Sequence, residues 1–528
     1  MTKTEKWVAF GLVALWALLF LPHLRTSPKW YGDEGEWMEK CWQFAHGTTH
    51  IGPIVNDFIY PYPYPPLYMA VNGALLRVFG NDVVVGRALG AVTALAAAAI
   101  LFWIGCRLRD KTFGFLCAAA FLVYSEAAIN FRWVRSHPMA GTFALASVGF
   151  LVRYVQEKRL RDAALAGLMC ALATGTNYFT YPLIGAVVVT VAVVNWRHAF
   201  AAGAVACSYA GLFVLWYVAT RGWGTMVNHM HLLTSVAANE VRPTLAGEIG
   251  RFAVNVWNIG FKTPGKIGFQ GVESWDWWLR ISWVGSLFLP VKDWKFRLWV
   301  PFWLLVLMYG VFKKLNNVPL FFYPATIFLP LMAVGFAGVV TWLGEGAKRI
   351  GAPSVLPGIA TCAVFGLMTA QGAFSHFDTK IDQWAQQSHM DAEAAMRYVN
   401  DRTTKDDIVI VPKQIYWLVK NAKRSMLTYC ARYNGIDNDM PVPTPIPREL
   451  FWFDCRLENA KYVVMEYGVR EVSLPDGRRG QLPVGIDAVY TLGLKGVKEV
   501  VQQTQQEKWP MVFHQGAYLV LANPRLVK

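Results

Sequence analysis

The sequence predicts a polytopic α-helical membrane protein carrying a C-terminal mixed α/β domain. Three observations predict it. The 528 residues are 55% hydrophobic and only 16% charged, where a soluble chain carries nearer a quarter charged residues. The chain holds 23 Trp, 32 Phe and 21 Tyr, as expected where aromatic belts mark both bilayer interfaces. Apolar segments of spanning character recur up to residue 373, and then polar composition and β-type runs take over.

Trp7 to Leu24 is apolar behind Lys3 and Lys6, and no small-x-small cleavage site follows. It reads as an uncleaved first span with its N-terminus in the cytoplasm. Residues 25–87 form a first outer loop rather than a span. They hold Trp30-Tyr31-Gly32-Asp33-Glu34-Gly35-Glu36-Trp37, helical spacing over Glu36 to His46, and then Tyr60-Pro61-Tyr62-Pro63-Tyr64-Pro65-Pro66-Leu67. Alternating prolines cannot continue a helix. Tyr68 to Phe79 is helical, apolar and short, and reads as a helix lying along the membrane surface.

Spans are then expected at about Arg87–Leu108, Phe113–Asn130, Met139–Gln156, Ala163–Tyr178, Tyr181–Asn195, Ala199–Ala219, Leu279–Val291, Leu298–Phe312, Tyr323–Trp342 and Ser354–Ala373. With the first helix this makes about eleven. Starting inside, the short loops expected in the cytoplasm hold Arg107, Arg109 and Lys111, then Arg153 to Arg161, Arg197, Lys292 to Arg297, and Lys348 with Arg349. That is the positive-inside pattern. The odd count places residues 374–528 outside as a periplasmic or extracellular domain, in a cell inner (plasma) membrane. Within that domain Ile381 to Thr403 has amphipathic helical spacing. Asp406 to Pro412, Lys461 to Met465 and Ala517 to Leu521 are β-type runs.

The net charge of +15 fits cytoplasmic loops and a site for a phosphorylated lipid. No compact basic run of the nucleic-acid type is present. The eight cysteines include no C-x-x-C pair. Cys430 and Cys455 lie in the polar tail, where a disulfide between them is an open alternative. His229-Met230-His231 is weak as a metal motif, and no metal site is expected from the histidines.

Asp33 and Glu34 sit where the first helix should emerge into water. Carboxylates at a bilayer edge are expensive unless they do something. One reading is that they cap the following helix. The other is that one of them is a catalytic base.

Read together, Asp33-Glu34 and Tyr64-Pro65-Pro66-Leu67, followed by Phe79-Gly80 and Arg87, resemble the GT-C superfamily of polyprenyl-phosphate-dependent glycosyltransferases. The likeness is greatest to the branch holding the protein O-mannosyltransferases and lipid A aminoarabinose transferases. Tyr398 to Asn400 and Val409 to Pro412 also resemble the opening of that branch's outer domain. Tyr64 stands where relatives often have His or Lys, and Arg135-Ser136-His137 where they often have Arg-x-Asp.

The resemblance implies a GT-C-like fold and inverting transfer of a sugar from a polyprenyl-phosphate donor to a hydroxyl. The acceptor would be a glycolipid, polysaccharide or protein on the outer face of the bilayer. Asp33 is the expected base, with Glu34 orienting it or binding acceptor, since a positioned carboxylate is the ordinary general base. The leaving phosphate needs cations. Arg87, Arg132, Arg135, Lys262, Lys266, Arg280, Lys313 and Lys314 are the candidates, with Arg135, Lys313 and Lys314 preferred for their short turns and Tyr64 and His137 as polar contacts. Membrane-interface snorkelling is the alternative for each cation. Lys313 and Lys314 match a phosphate-binding lysine of relatives by position only. No cofactor is expected, and a divalent ion on Asp33 is left open. The Tyr60–Tyr64 and Trp275–Trp278 clusters either stack on sugar or anchor at the interface. The alternative function is a transporter or flippase of a lipid-linked saccharide. It would favour broken, charged helices at midplane and an internal repeat, and the sequence shows neither.

Overall fold

The computed structural model describes residues 2–26, 32–45, 65–221, 245–257, 276–291, 296–312, 323–351, 355–377, 379–426, 453–473, 479–485 and 495–527, with isolated positions between. Thr2 opens α1 (Lys3–Phe20) with a capping box, accepting from the Glu5 N–H at 3.2 Å while Glu5 accepts from the Thr2 N–H at 2.9 Å. Two helices of the first loop follow, α2 (Gly32–Ala45) and α3 (Leu67–Phe79), packed on each other. Asp82 caps α4 (Val83–Leu108), accepting from the Val84 N–H at 2.9 Å.

The Phe113–Asn130 stretch, expected as one span, is two helices, α5 (Lys111–Leu122) and α6 (Ser125–Arg132). The chain breaks at Tyr124, whose backbone is extended and whose ring stacks on Trp278 at 3.9 Å. Next come α7 (Ser136–Glu157), α8 (Leu160–Thr176), α9 (Pro182–Val194) and α10 (Trp196–Arg221). Asn177 accepts from the Phe179 N–H at 2.9 Å, and Pro182 starts α9 from the 3₁₀ turn Tyr178–Thr180. A helix that the pattern did not suggest, α11 (Leu245–Trp257), falls in the long loop. Then follow α12 (Asp276–Leu287), α13 (Trp299–Phe312), α14 (Leu329–Arg349) and α15 (Val355–Phe377). The Tyr323–Trp342 span begins as a 3₁₀ turn, Tyr323–Ile327, because Pro330 suits only the first turn of the α-helix behind it.

Among the described residues four helices are long and apolar enough to cross a membrane: Val83–Leu108, Ser136–Glu157, Trp196–Trp216 and Leu329–Arg349. Shorter apolar helices, including Lys111–Leu122 and Trp299–Val311, pack among them. The chain is an integral membrane protein with multiple spanning helices. The expected figure of about eleven would need these shorter helices as crossings.

The C-terminal region places α16 (Thr379–Asn400) and α17 (Lys495–Gln506) beside a mixed sheet. Its strands are β1 (Ile408–Ile410), β2 (Lys423–Ser425), β3 (Ala460–Ser473), β4 (Arg479–Gly485), β5 (Met511–Gln515) and β6 (Tyr518–Ala522), in the order β2-β1-β3-β6-β5 with β4 on β3. β1 runs parallel to β2 and β3, and the remaining pairs are antiparallel, with Val464 opposite Val520. Gly516 closes the β5–β6 hairpin at φ 52°, the left-handed region that glycine enters at least cost. The three short β-type runs correspond to β1, β3 and β6. β2, β4 and β5 are too polar or too short to stand out.

This sheet region is not an independent attachment. Trp37, Met38 and Cys41 of α2 and Tyr68, Met69 and Leu76 of α3 share one buried core with Ala392, Met396, Val409, Ile415 and Val520. The seam is closed by charge. Arg424 holds Glu39 of α2 with Nη2 to Oε1 at 2.6 Å, and Arg25 pairs with both Asp82 and Glu393. Glu39 is buried, so removing Arg424 strands a desolvated carboxylate. Arg424→Met should lower thermal stability in detergent by about 3–5 kcal/mol, and Glu39→Gln/Arg424→Met should recover part of that loss. Equal melting of Arg424→Met and wild type would show the seam to be energetically idle.

Acid sensitivity has an identifiable group. Burial pushes the Asp407 carboxyl up, but hydrogen bonds from the Thr404 backbone and from Lys461 outweigh it and hold it below its ordinary value of 3.8. A depressed carboxyl contributes stability above its unfolded pKa and loses it as pH falls through the folded one. Unfolding of the sheet region should therefore be promoted below about pH 4, and Asp407→Asn should flatten that part of the profile. An unchanged acid limb in Asp407→Asn would exclude it as the group responsible.

Cys430 and Cys455 are free, buried thiols. Burial pushes Cys455 up to about 12 and Cys430 up further.

Candidate active site

The acid-bearing helix α2 is pinned from beneath. Glu34 is fully buried and accepts two parallel bonds from Arg87 at the start of α4, Nε to Oε1 at 2.8 Å and Nη2 to Oε2 at 2.6 Å. The Val134 N–H donates to the same Oε1 at 3.1 Å. This bidentate fork satisfies the carboxylate in its apolar surroundings. Position 34 thus serves as a buried ion-pair partner, not as the helix cap that its place in the first turn suggested.

The arginines read as phosphate ligands have structural work. Besides Glu34, Arg87 donates to the Leu24 carbonyl at 2.9 Å. Arg132 is completely buried and donates to the Pro22 carbonyl at 2.9 Å and the Ala128 carbonyl at 3.1 Å. Both therefore clamp the chain where it leaves α1. Arg135 lies in the turn between α6 and α7, buried, with its guanidinium 5.7 Å from the Trp133 ring. His137 is buried next to it, with its ring 5.6 Å from Phe179.

One close approach makes this cluster possible. Gly90 faces the Phe131 carbonyl, and a Cβ there would collide with it. α4 can then lie against the 131–137 turn, so that Arg87 and Arg135 belong to one neighbourhood. Gly90→Ala should cost about 1–3 kcal/mol by overpacking, read as a lower melting temperature in detergent. An unshifted transition would mean that the turn yields freely.

Two residues of the cluster were not among the candidates read from the sequence. Tyr68, immediately after the Pro-Pro-Leu element, is buried, with its ring edge-on to Trp37 of α2 at 5.4 Å. Asn177 is buried and donates from Nδ2 to the Ser136 Oγ at 2.9 Å. Tyr68's place beside Pro65-Pro66-Leu67 was a usable hint. Asn177 is 41 residues from its partner, and nothing local announces it.

The site is therefore assembled from α2, the start of α4, the 132–137 turn and the 177–180 turn. Asp33 occupies the first turn of α2, one position before the pinned Glu34. Tyr64, Lys262, Lys266, Lys313 and Lys314 lie outside the described residues, as do Tyr60, Tyr62, His229 and His231. Trp278 neither anchors at the interface nor meets sugar at the surface. It is buried between Tyr124 and Phe336. Among the described residues no three His, Cys, Asp or Glu side chains converge on a point that would hold a metal ion.

No family model and no curated protein matches the sequence. Solved structures match by fold. The chain superposes on ArnT from Cupriavidus metallidurans bound to undecaprenyl phosphate with TM-score 0.58 at 10% identity, covering 98% of this chain and 97% of that one. The same protein in its apo state gives TM-score 0.56 at 10% identity, covering 99% and 98%. The archaeal oligosaccharyltransferase AglB from Archaeoglobus fulgidus, in complex with an inhibitory peptide and a dolichol-phosphate, gives 0.49 at 11% identity over 91% and 74%. The fold is ArnT-like from end to end.

Proposed function

We propose that this protein is an inverting membrane glycosyltransferase. It moves a sugar from a polyprenyl-phosphate carrier to a hydroxyl acceptor on the outer face of the bilayer. The observation that carries the reading is the pinning of α2. A buried two-bond ion pair fixes the helix turn that bears Asp33, and that turn sits beside the arginine-lined 132–137 segment. Fixing a base to a rigid element is what general-base catalysis requires of a fold. The ArnT-like fold supports the same reading, since one of its solved examples is bound to undecaprenyl phosphate.

In this mechanism Asp33 takes the proton of the acceptor hydroxyl as that oxygen attacks the anomeric carbon. The bond from sugar to phosphate breaks, and the electron pair leaves on the phosphate. Arg135, with Lys313 and Lys314, offsets that charge at the headgroup level. Glu34 and Arg87 act through Asp33 as positioning residues, and Arg132 holds the chain exit. Tyr64 and His137 border the sugar and phosphate. Residues 1–373 form the transferase unit, and residues 374–528 form an outer domain packed on the two helices of its first loop.

The test is mass spectrometry of envelope glycolipids, polysaccharides and proteins from cells with and without the gene. It should reveal one glycosylated species that depends on the protein, with free polyprenyl phosphate released by the purified enzyme. Movement of a lipid-linked saccharide across sealed vesicles without cleavage of its sugar–phosphate bond would replace this reading with transport.

A further inference from the structure

The opposite end of the helical bundle carries a second polar site that the transfer reaction does not use. Arg87 lies near the start of α4 and Arg109 is its C-cap. At about 1.5 Å per residue the two are roughly 33 Å apart, close to the ~30 Å thickness of a bilayer core. Around Arg109, the ends of α4, α12 and α14 line a half-open cavity of about 520 Å³ that also takes in Arg297 and Arg349. Three of the basic loops that positive-inside placed in the cytoplasm thus meet at one point.

The charges in this cavity are not balanced. Its two carboxylates, Glu345 and Asp110, both pair with Arg109, whose Nη1 also donates to the Pro290 carbonyl at 2.6 Å. Among the described residues Arg297 and Arg349 are exposed and make no ion pair. Arg349 ends α14, where a cation suits the helix dipole. That explanation fails for Arg297, which lies two residues before α13 begins, at the end of a helix where a cation is disfavoured and an anion is welcome. The walls are apolar at the other end. Phe288 is 65% exposed and Trp342 56% exposed, as aromatic side chains are where acyl chains begin.

We propose that this cavity holds the headgroup of an anionic phospholipid. Its phosphate lies between Arg297 and Arg349, and its acyl chains run over Phe288 and Trp342. Guanidinium forks bind phosphate oxygens bidentately, and basic pockets between membrane helices are suited to such headgroups. A free phosphate shares the first half of this chemistry, but it has no use for the apolar wall.

Native mass spectrometry of the purified full chain tests the proposal, using phosphatidylglycerol, phosphatidylcholine or inorganic phosphate as probe. Wild type should retain phosphatidylglycerol preferentially over phosphatidylcholine. Arg297→Ala/Arg349→Ala should lose that preference, by roughly fivefold for each arginine removed. Trp342→Ala with both arginines intact should weaken both lipids alike. Equal retention of the two lipids by wild type would overturn the proposal without any variant. So would an Arg297→Ala/Arg349→Ala protein that binds phosphatidylglycerol as wild type does. Displacement of the lipid by millimolar inorganic phosphate would reassign the cavity to free phosphate.

Discussion

Asp33→Asn should leave the protein folded and able to bind its lipid-phosphate donor, and should remove sugar transfer. The amide keeps the shape of the side chain and loses only the capacity to take a proton. General-base assistance is worth about 10²–10⁴ in rate, so the residual single-turnover rate should lie that far below wild type. Glu34 cannot substitute, because both of its oxygens already accept from Arg87 and one also accepts from Val134. Neighbouring helical positions are about 100° apart, so a fixed Glu34 places position 33 on a different face of α2. The measurement is transfer by purified protein with donor binding followed separately. A wild-type rate in Asp33→Asn would remove this residue from the chemistry.

Breaking the Glu34–Arg87 pair should be the costliest single change to stability. Both side chains are essentially inaccessible to solvent. Arg87→Met leaves a buried carboxylate unpaired and Glu34→Leu leaves a buried guanidinium unpaired, each at about 3–5 kcal/mol. That is a large part of the ~5–15 kcal/mol that typically separates folded from unfolded. The paired replacement Glu34→Leu/Arg87→Met strands neither charge, so its melting temperature should lie above that of either single variant. Transfer should stay low in the paired variant, because α2 loses its fixed rotation. If the two single losses simply added, the coupling would be absent. If the paired variant recovered both stability and rate, the pair would not position α2.

How far the sequence could be read depended on the kind of interaction involved. The helices Val83–Leu108, Ser136–Glu157 and Leu329–Arg349 were visible because a spanning helix repeats one chemical choice over some twenty positions. The break at Tyr124 was not, since no Pro or Gly marks it, while in the fold its ring stacks on the distant Trp278. β1, β3 and β6 announced themselves by buried aliphatic runs. β4, containing Arg479, Gln481 and Pro483, pairs with β3 and needed its partner to be recognised. At the site, the acid pair and the nearby arginines were identified by residue type and place. Their division of labour was not, because Glu34 and Arg87 are 53 residues apart and either could have faced donor or core.

By itself the sequence determined that this chain enters a membrane and carries a sheet domain behind its helices. It also determined that acids and arginines gather between residues 25 and 87, behind the first apolar helix. These follow from composition and periodicity, which act locally and sum along the chain. Only the tertiary structure decided that Glu34 is held by Arg87, that Arg132 holds the exit of α1, and that α2 and α3 share a core with the sheet. Each depends on burial, and whether a charge is a ligand or a strut is set by the partner that removes it from water.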